Sequence, residues 1–393
     1  MDLTRLNEIP LEPTYHPGTW LQISTLGEAG IATRSYNGDG ECVNSLRIYN
    51  KNQNALAMLK GFPSCSPISE LLDEINATDD GVRGHFELCG DVKLDYSLAW
   101  AARYFISDYF SIAAYLPFYS MHLENVQWND LTKDVTPADQ RVKELLTNRL
   151  FDVVNQFGCG LDLGCWRRTG PGDLAIWVEW NRDFPQEKPF LKNVRLVCRT
   201  GLILPTGLKE DVDKIGALPF GNDGAVSLMI AGGLTATLGD YIQAGFDVEL
   251  LHLFGNERER RIRVYPEQTT FLYLKKARTY RDWGLTQRFN LFLNVQNFYQ
   301  GFSAKVDYEY MKHGEDTLSV ADCNFSTTIA NTGNNLDDWT IHMMIGKIGY
   351  DFACHLDECA PVIPQVWIYG KVPVNGSHAT GFATVGAILS LEF

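Results

Sequence analysis

Charged side chains recur at even spacings inside stretches whose alternate positions are apolar. Glu87, Asp91, Lys93 and Asp95 form one such set, and Arg195 with Arg199 form another. Asp247 and Glu249, then Lys305, Asp307 and Glu309, and finally Glu392 repeat the pattern further along. An extended chain sends successive side chains to opposite faces, so each set belongs to one face of a strand. Acids and bases repeated this way, with no nucleophile beside them, suit the lining of an aqueous path that selects by charge. The alternative use is mutual: ions pairing across strands and sealing the space they face.

Other chemistry finds little support. The sequence has no phosphate-cradling glycine loop, no G-x-S-x-G elbow and no H-E-x-x-H zinc pattern. Eight histidines are scattered. His85 shares a parity with Asp91, and His342 falls on a strand of uncertain register, yet no serine is marked out as a nucleophile. An enzyme is not expected. Nine cysteines leave at least one unpaired. Short loops closed by Cys159 with Cys165, Cys354 with Cys359, or Cys42 with Cys65 are open alternatives that spacing does not decide. No cysteine spacing matches a zinc module, so neither a metal nor a cofactor is expected. The net charge of -14 argues against a nucleic-acid partner. The arginine-dense tract N-E-R-E-R-R-I-R at 256–263 is interrupted by Glu257 and Glu259 and reads as a solvated or lumenal loop.

The elements that would hold the charges are strands. In 381–393, Ala383, Val385, Ala387, Leu389, Leu391 and Phe393 fall on one face and small or polar residues on the other. In 302–310, Phe302, Ala304, Val306, Tyr308 and Tyr310 oppose Ser303, Lys305, Asp307 and Glu309. Similar alternation runs through 86–98, 174–180, 194–202, 242–250 and 289–296. With mean hydropathy at -0.15, no stretch supplies the roughly eighteen apolar residues of a spanning helix. The reading is one all-β domain over 1–393: a closed transmembrane antiparallel β-barrel of about twelve strands, apolar outside and polar inside.

Long excursions at 36–80, 125–170, 204–224, 253–284 and 313–337 alternate with short turns near 239, 299 and 375. One amphipathic helix is expected over 136–157, started by Pro137 and stopped by Gly158, with a shorter one at 68–75. Lipid offers no hydrogen bonds, so the strand at 20–34 must pair with the strand at 378–393. Residues 1–18 read as an extended lead. The start has no basic and apolar leader, which under this reading means a mature chain whose signal peptide has been removed.

A terminal strand ending on phenylalanine, carried here by Val385, Leu389, Leu391 and Phe393, resembles the C-terminal signature of bacterial outer-membrane proteins. That resemblance implies recognition by the barrel assembly machinery. The tracts GPGDLAIWVEW (170–180) and GLILPTG (201–207) resemble a group of uncharacterised outer-membrane barrels, with a broader likeness to porin-like and fatty-acid-transporter-like proteins over 82–393. What the resemblance implies is a multi-pass barrel in the outer membrane of a Gram-negative bacterium, in contact with outer-membrane lipids. The expected function is a porin-like channel for small solutes, weakly cation-selective through an acidic lining. The alternatives are a carrier of apolar ligands rimmed by Leu218, Pro219 and Phe220, a plugged structural or adhesive barrel, and a soluble β-sandwich binding module. A monomer and a homo-oligomer both remain open.

Overall fold

Alternation carries through into twelve long strands that pair in sequence order and close on themselves. The computed structural model describes residues 16–356 and 360–393. The staves are β1 (Leu21–Tyr36), β2 (His85–Phe105), β3 (Phe110–Asp130), β4 (Leu174–Pro185), β5 (Leu191–Leu204) and β6 (Ser227–Leu238). They continue as β7 (Ile242–Leu253), β8 (Thr286–Tyr299), β9 (Phe302–His313), β10 (Trp339–Asp351), β11 (Ile363–Ser377) and β12 (Ala379–Glu392). Every pairing around the ring is antiparallel. Closure falls where backbone satisfaction demands it: β1 pairs with β12 from Gln22 opposite Glu392 to Tyr36 opposite Ala379. The backbone N–H groups of Trp20 and Leu21 donate to the Phe393 carbonyl just beyond.

Because strands alternate in direction, the connections sort onto two ends. Short turns at 106–109, 186–190, 239–241 and 300–301, together with the strand ends at Asp351 and Ile363, lie at the end that holds His16 and Phe393. The excursions 37–84, 131–173, 205–226, 254–285 and 314–338 lie at the other. They are not loose loops. Their apolar residues bury against the upper inward faces of β2 and β3, with Leu46, Leu146, Leu163 and Phe271 packed on Phe86, Leu88, Met121 and Leu123. A three-stranded sheet of Asn256–Arg261, Lys276–Asp282 and Thr317–Val320 adds a second small core. The mouth is therefore covered by a folded cap.

The expected helix over 136–157 is interrupted. Pro137–Val142 is α-helical, Lys143–Thr147 widens into a π turn, and the helix restarts at Leu150–Phe157 after Arg149 leaves the helical region. Its start is held by a reciprocal cap in which Thr136 and Asp139 bond each other's backbone. Cys42, Cys65, Cys159 and Cys165 carry free thiols, so the short pairings considered for them do not form. Cys42 lies against the top of β1, whereas Cys65 precedes the helix Pro67–Ile75. Cys359 and residues 1–15 of the lead lie outside the described residues.

The largest correction concerns β2. At 21 residues each, β2 and β3 overtop neighbours of 12 to 16, while a membrane crossing needs about 9–11. The register against β3 slips between Leu94 and Tyr96. One extra residue there reverses which parity faces inward. Below the bulge Ser97, Ala99, Ala101 and Arg103 are buried and Tyr96, Leu98, Trp100 and Tyr104 face out. Above it Phe86, Leu88, Val92 and Leu94 point in, against the cap. Glu87, Asp91, Lys93 and Asp95 therefore face outward on the overtopping part of the wall.

The exterior of the staves is otherwise apolar over a continuous band. Val385, Ile348 and Ile368 are 62–68% exposed there, far more contiguous apolar surface than water tolerates on a monomer. Aromatic side chains crowd the rim at the short-turn end, among them Trp20, Tyr104, Tyr109, Tyr241 and Tyr299.

A clip holds that end of the seam. Buried Glu392 accepts hydrogen bonds from the His16 backbone at 3.0 Å and from Thr19 Oγ1 at 3.1 Å, and contacts His16 Nδ1 at 3.0 Å. Asp351 lies 3.2 Å from His16 Nε2. Bonding to Asp351 and then to Glu392 outweighs partial burial and raises His16 to about 10. A folded value above the unfolded one means the ionic clip is complete below about pH 6.5 and is lost as pH rises through about 10. Hydrogen-exchange protection of the Trp20 and Leu21 amides, corrected for the intrinsic rate, should fall across that window and be flat in His16→Gln. Protection independent of pH in the wild type would show that the clip contributes nothing.

Candidate functional site: the barrel lumen

Twelve tilted strands enclose a narrow interior, and what fills it is decided by inward side-chain size. The inward residues divide the lumen in two. From β10 round through β1 to β4 they are buried: Leu26, Tyr115, Trp177, Trp367, Tyr369 and Ile388, with the small Ala99, Ala101 and Ala113 beside them, form one apolar cluster that reaches Met229 and Leu251 across the bore. Charges among them are paired. Arg103, 1% exposed, donates to Gln22 Oε1 at 2.9 Å and reaches Glu179 at 3.2 Å, and Glu179 also accepts from Arg199 at 2.5 Å. Lys371 lies 3.2 Å from Glu28, which accepts from the Tyr369 hydroxyl at 2.9 Å. Buried charge survives only with such partners.

From β5 to β9 the inward positions nearer the short-turn end are mostly small or polar, Val197 and Phe292 apart, while Met229, Leu251 and Leu253 near the cap join the apolar cluster. Most inward positions on β5, β6 and β7 are only half-buried. A cavity of about 80 Å³ runs along this wall, lined by Arg199, Thr235, Asp247, Glu249, Arg288, Asn290, Phe292 and Lys305 among others. Two glycines make the room. A β-carbon on Gly233 would stand 2.1 Å from Asp247 Oδ1, and one on Gly245 would stand 2.5 Å from the Phe292 ring. Arg288 bonds Glu309 at 2.6 Å and lies 3.7 Å from Glu249. Asp307 sits between Lys305 at 3.0 Å and Lys347 at 3.7 Å. Arg195 holds Asp183 at 2.8 Å nearer the short-turn end. Asp247 makes no close salt bridge among the described residues and acts on Arg199 only through space.

Eight of the twelve charges singled out from sequence do face the lumen: Arg195, Arg199, Asp247, Glu249, Lys305, Asp307, Glu309 and Glu392. The other four do not. Glu87 pairs with Arg47 at 2.6 Å, Lys93 bonds Glu124, and Asp95 bonds Arg167 at 2.8 Å, all on the outer wall above the bulge. Asp91, beside them, accepts from Asn125 at 2.8 Å. His85, tied to Asp79 at 2.9 Å, and His342, tied to the Tyr308 hydroxyl at 2.6 Å, also lie off the lumen. No triad can therefore be assembled from them inside.

Sequence reasoning missed Glu28, Arg103, Glu179, Arg288, Lys347 and Lys371. Arg288 has the parity of Asn290 and was one residue beyond the stretch read as strand. Lys347 and Lys371 lie on the two staves whose alternation was least regular. These bases bring the lumen close to electrical balance, so the net acidic lining expected from sequence is corrected.

Phe220 is fully buried against Tyr119, 5.5 Å between ring centroids, while Leu218 and Pro219 line a second cavity beneath the cap. The two family-like tracts meet beside them. Thr206 Oγ1 donates to the Gly172 carbonyl at 3.1 Å and accepts from the Leu174 amide at 2.9 Å. Asp173 accepts from the amides of Gly207 at 2.7 Å and Asn222 at 2.5 Å. Together they fill the interruption between the strand Trp166–Pro171 and β4, where backbone groups would otherwise lack partners.

Replacing Glu179 by glutamine should leave buried Arg103 in the packed half, and Arg199 at its border, without their shared carboxylate and cost about 3–5 kcal/mol. Arg195→Gln, at a more exposed pair, should cost less than about 1 kcal/mol. Urea unfolding in detergent measures both, and equal losses would contradict the division of the lumen.

No family model matches the sequence, and no curated protein matches it. Among solved structures, the chain is similar to an outer-membrane channel of Pseudomonas putida F1, with 11% identity, 98% of this chain and 100% of that one covered, and a TM-score of 0.51. A FadL homologue of Pseudomonas aeruginosa aligns over 95% of this chain and 90% of its own at 9% identity and a TM-score of 0.31. The toluene transporter TbuX of Ralstonia pickettii aligns over 95% and 89% at 9% identity and a TM-score of 0.30. The first likeness is one of fold: the architecture is that of an outer-membrane β-barrel. The other two are too distant to carry an argument about this chain.

Proposed function

We propose that the chain is an outer-membrane channel, capped end facing the cell exterior, that passes small solutes along the wall from β5 to β9. The observation that carries the reading is the uneven lumen. A purely structural barrel would gain stability by packing the whole bore, yet β6 and β7 present Ala231, Gly233, Thr235 and Gly245 to it. The half-buried charges there line a cavity of about 80 Å³, the kind of polar space a conducting path is built from. Weak cation preference is assigned to Asp247, a lumenal acid held in no close salt bridge among the described residues. Outer-membrane lipid covers the apolar band, and Val385 and Leu389, which face outward on β12, belong to the surface that assembly machinery would meet.

The P. putida channel supports this reading at the level of architecture. Two other readings make different predictions in the same experiment. In a planar bilayer the purified protein should give steady conductance with modest cation preference. Asp247→Asn should move the reversal potential toward anions, and Thr235→Trp should cut conductance by more than about half by filling the path. Folded protein without conductance would favour the plugged, structural barrel. A chain that folds and stays soluble without detergent would favour the sandwich.

A further inference from the structure

Beneath the cap lies a cavity of about 140 Å³, larger than the one along the lumen wall. By this measure it has room for on the order of ten waters. One wall is apolar, with Leu46, Leu161, Phe271 and Leu318. The polar lining includes Arg260 and Arg261 of the arginine-dense tract, whose Asn256–Arg261 stretch forms a strand rather than a solvated loop, and Asp223.

Two nine-tenths-buried groups of opposite charge stand among the residues that line this space, each with one atom left without a hydrogen bond. Arg260, 4% exposed, donates through Nη1 to the Thr279 carbonyl at 3.1 Å and through Nη2 to Asn256 Oδ1 at 2.7 Å. Its Nε has no hydrogen-bond partner among the described residues. Asp223, 2% exposed, spends Oδ1 on the Glu210 amide at 2.9 Å and on Arg258. Its Oδ2 accepts no hydrogen bond among the described residues and has only a loose ion pair with Arg260 Nη2 at 3.6 Å. Burial, with Arg281 and Arg258 adding repulsion against the partial relief of Asp223, lowers Arg260 to about 10. Protein interiors rarely leave a buried donor and a buried acceptor without a hydrogen bond.

We propose that this cavity binds a small zwitterion with an apolar body, of the size and chemistry of an apolar α-amino acid. Its carboxylate meets Arg260 Nε, its ammonium meets Asp223 Oδ2, and its side chain lies on the wall of Leu46, Leu161 and Phe271. Bridging water satisfies the two polar atoms equally well but gives the apolar wall nothing to contact. A ligand with both charges beside an apolar body satisfies all three. As a statement about cargo this rests on the channel reading above; as a binding site it does not.

Calorimetry on the full chain in detergent, with L-phenylalanine, 3-phenylpropionate and phenethylamine as probes, tests it. Phenylalanine should bind, and each analogue, lacking one charge, should bind at least about tenfold more weakly. Arg260→Gln and Asp223→Asn should each weaken phenylalanine binding by a similar factor. Ala217→Phe, which fills the cavity and leaves the polar atoms in place, should abolish it, with folding of each variant checked by heat-dependent gel migration. No binding of phenylalanine, phenylpropionate binding as tightly, or binding that survives Ala217→Phe would overturn the proposal. Binding without bilayer conductance would sink the channel reading alone. Conductance with no binding would sink this one alone.

Discussion

Lipid accepts no hydrogen bonds, so a sheet inside it cannot have an edge. The rest of this structure follows from that constraint. The seam between β1 and β12 exists because the first and last staves would otherwise expose a ladder of unpaired backbone groups. Closure with an even number of strands brings both seam strands to the same end, where Glu392 and His16 fasten the seam. It also fixes the bore. A barrel this small is filled or emptied by the choice of inward side chains, with no freedom to widen.

Within that bore the chain makes two different choices. Tryptophan, tyrosine and leucine from β10 through β4 meet across the axis and bury paired ions among themselves. Glycine, alanine and threonine on β6 and β7 leave a path against the opposite wall, with Asp247, Glu249, Arg288 and Lys305 along it. The same charged residue types thus serve two ends. Desolvated and fully paired, as in Arg103 with Glu179, they are structure. Half-hydrated, they shape an electrostatic path. The cap continues the division, with a large apolar core against β2 and β3 and a polar-walled cavity on the side of 205–226 and 256–283.

The barrel was legible from sequence wherever alternation ran unbroken. The faces of 302–310 and 381–393 fall as read, and so does the pairing of the first strand with the last. The failures have physical causes. Parity is a count, and a single bulged residue between Leu94 and Tyr96 reverses it, which misplaced Glu87, Asp91, Lys93 and Asp95. Nothing in composition marks that slip; it is set by how β2 crosses from the membrane into the cap. Lys347 and Lys371 were missed because outward His342 and Gly370 and inward Pro373 blur the period on β10 and β11. The excursions read as loops because their apolar residues pack across five separate segments, a long-range arrangement that leaves no local period. The arginines of 256–263 looked solvated for the same reason: their partners, Asp223 and Asp213, come from a different excursion.

The central claim is that water reaches one side of the lumen and not the other. Hydroxyl-radical footprinting of the folded protein in membranes, read residue by residue by mass spectrometry, tests it without any substitution. Phe292, on the wall from β5 to β9, should be oxidised readily, while Tyr115, Trp177 and Tyr369, on the packed side, should be protected until the protein unfolds. Equal oxidation of both groups would mean an open, evenly hydrated pore. Equal protection would mean a sealed barrel. Either would contradict the account.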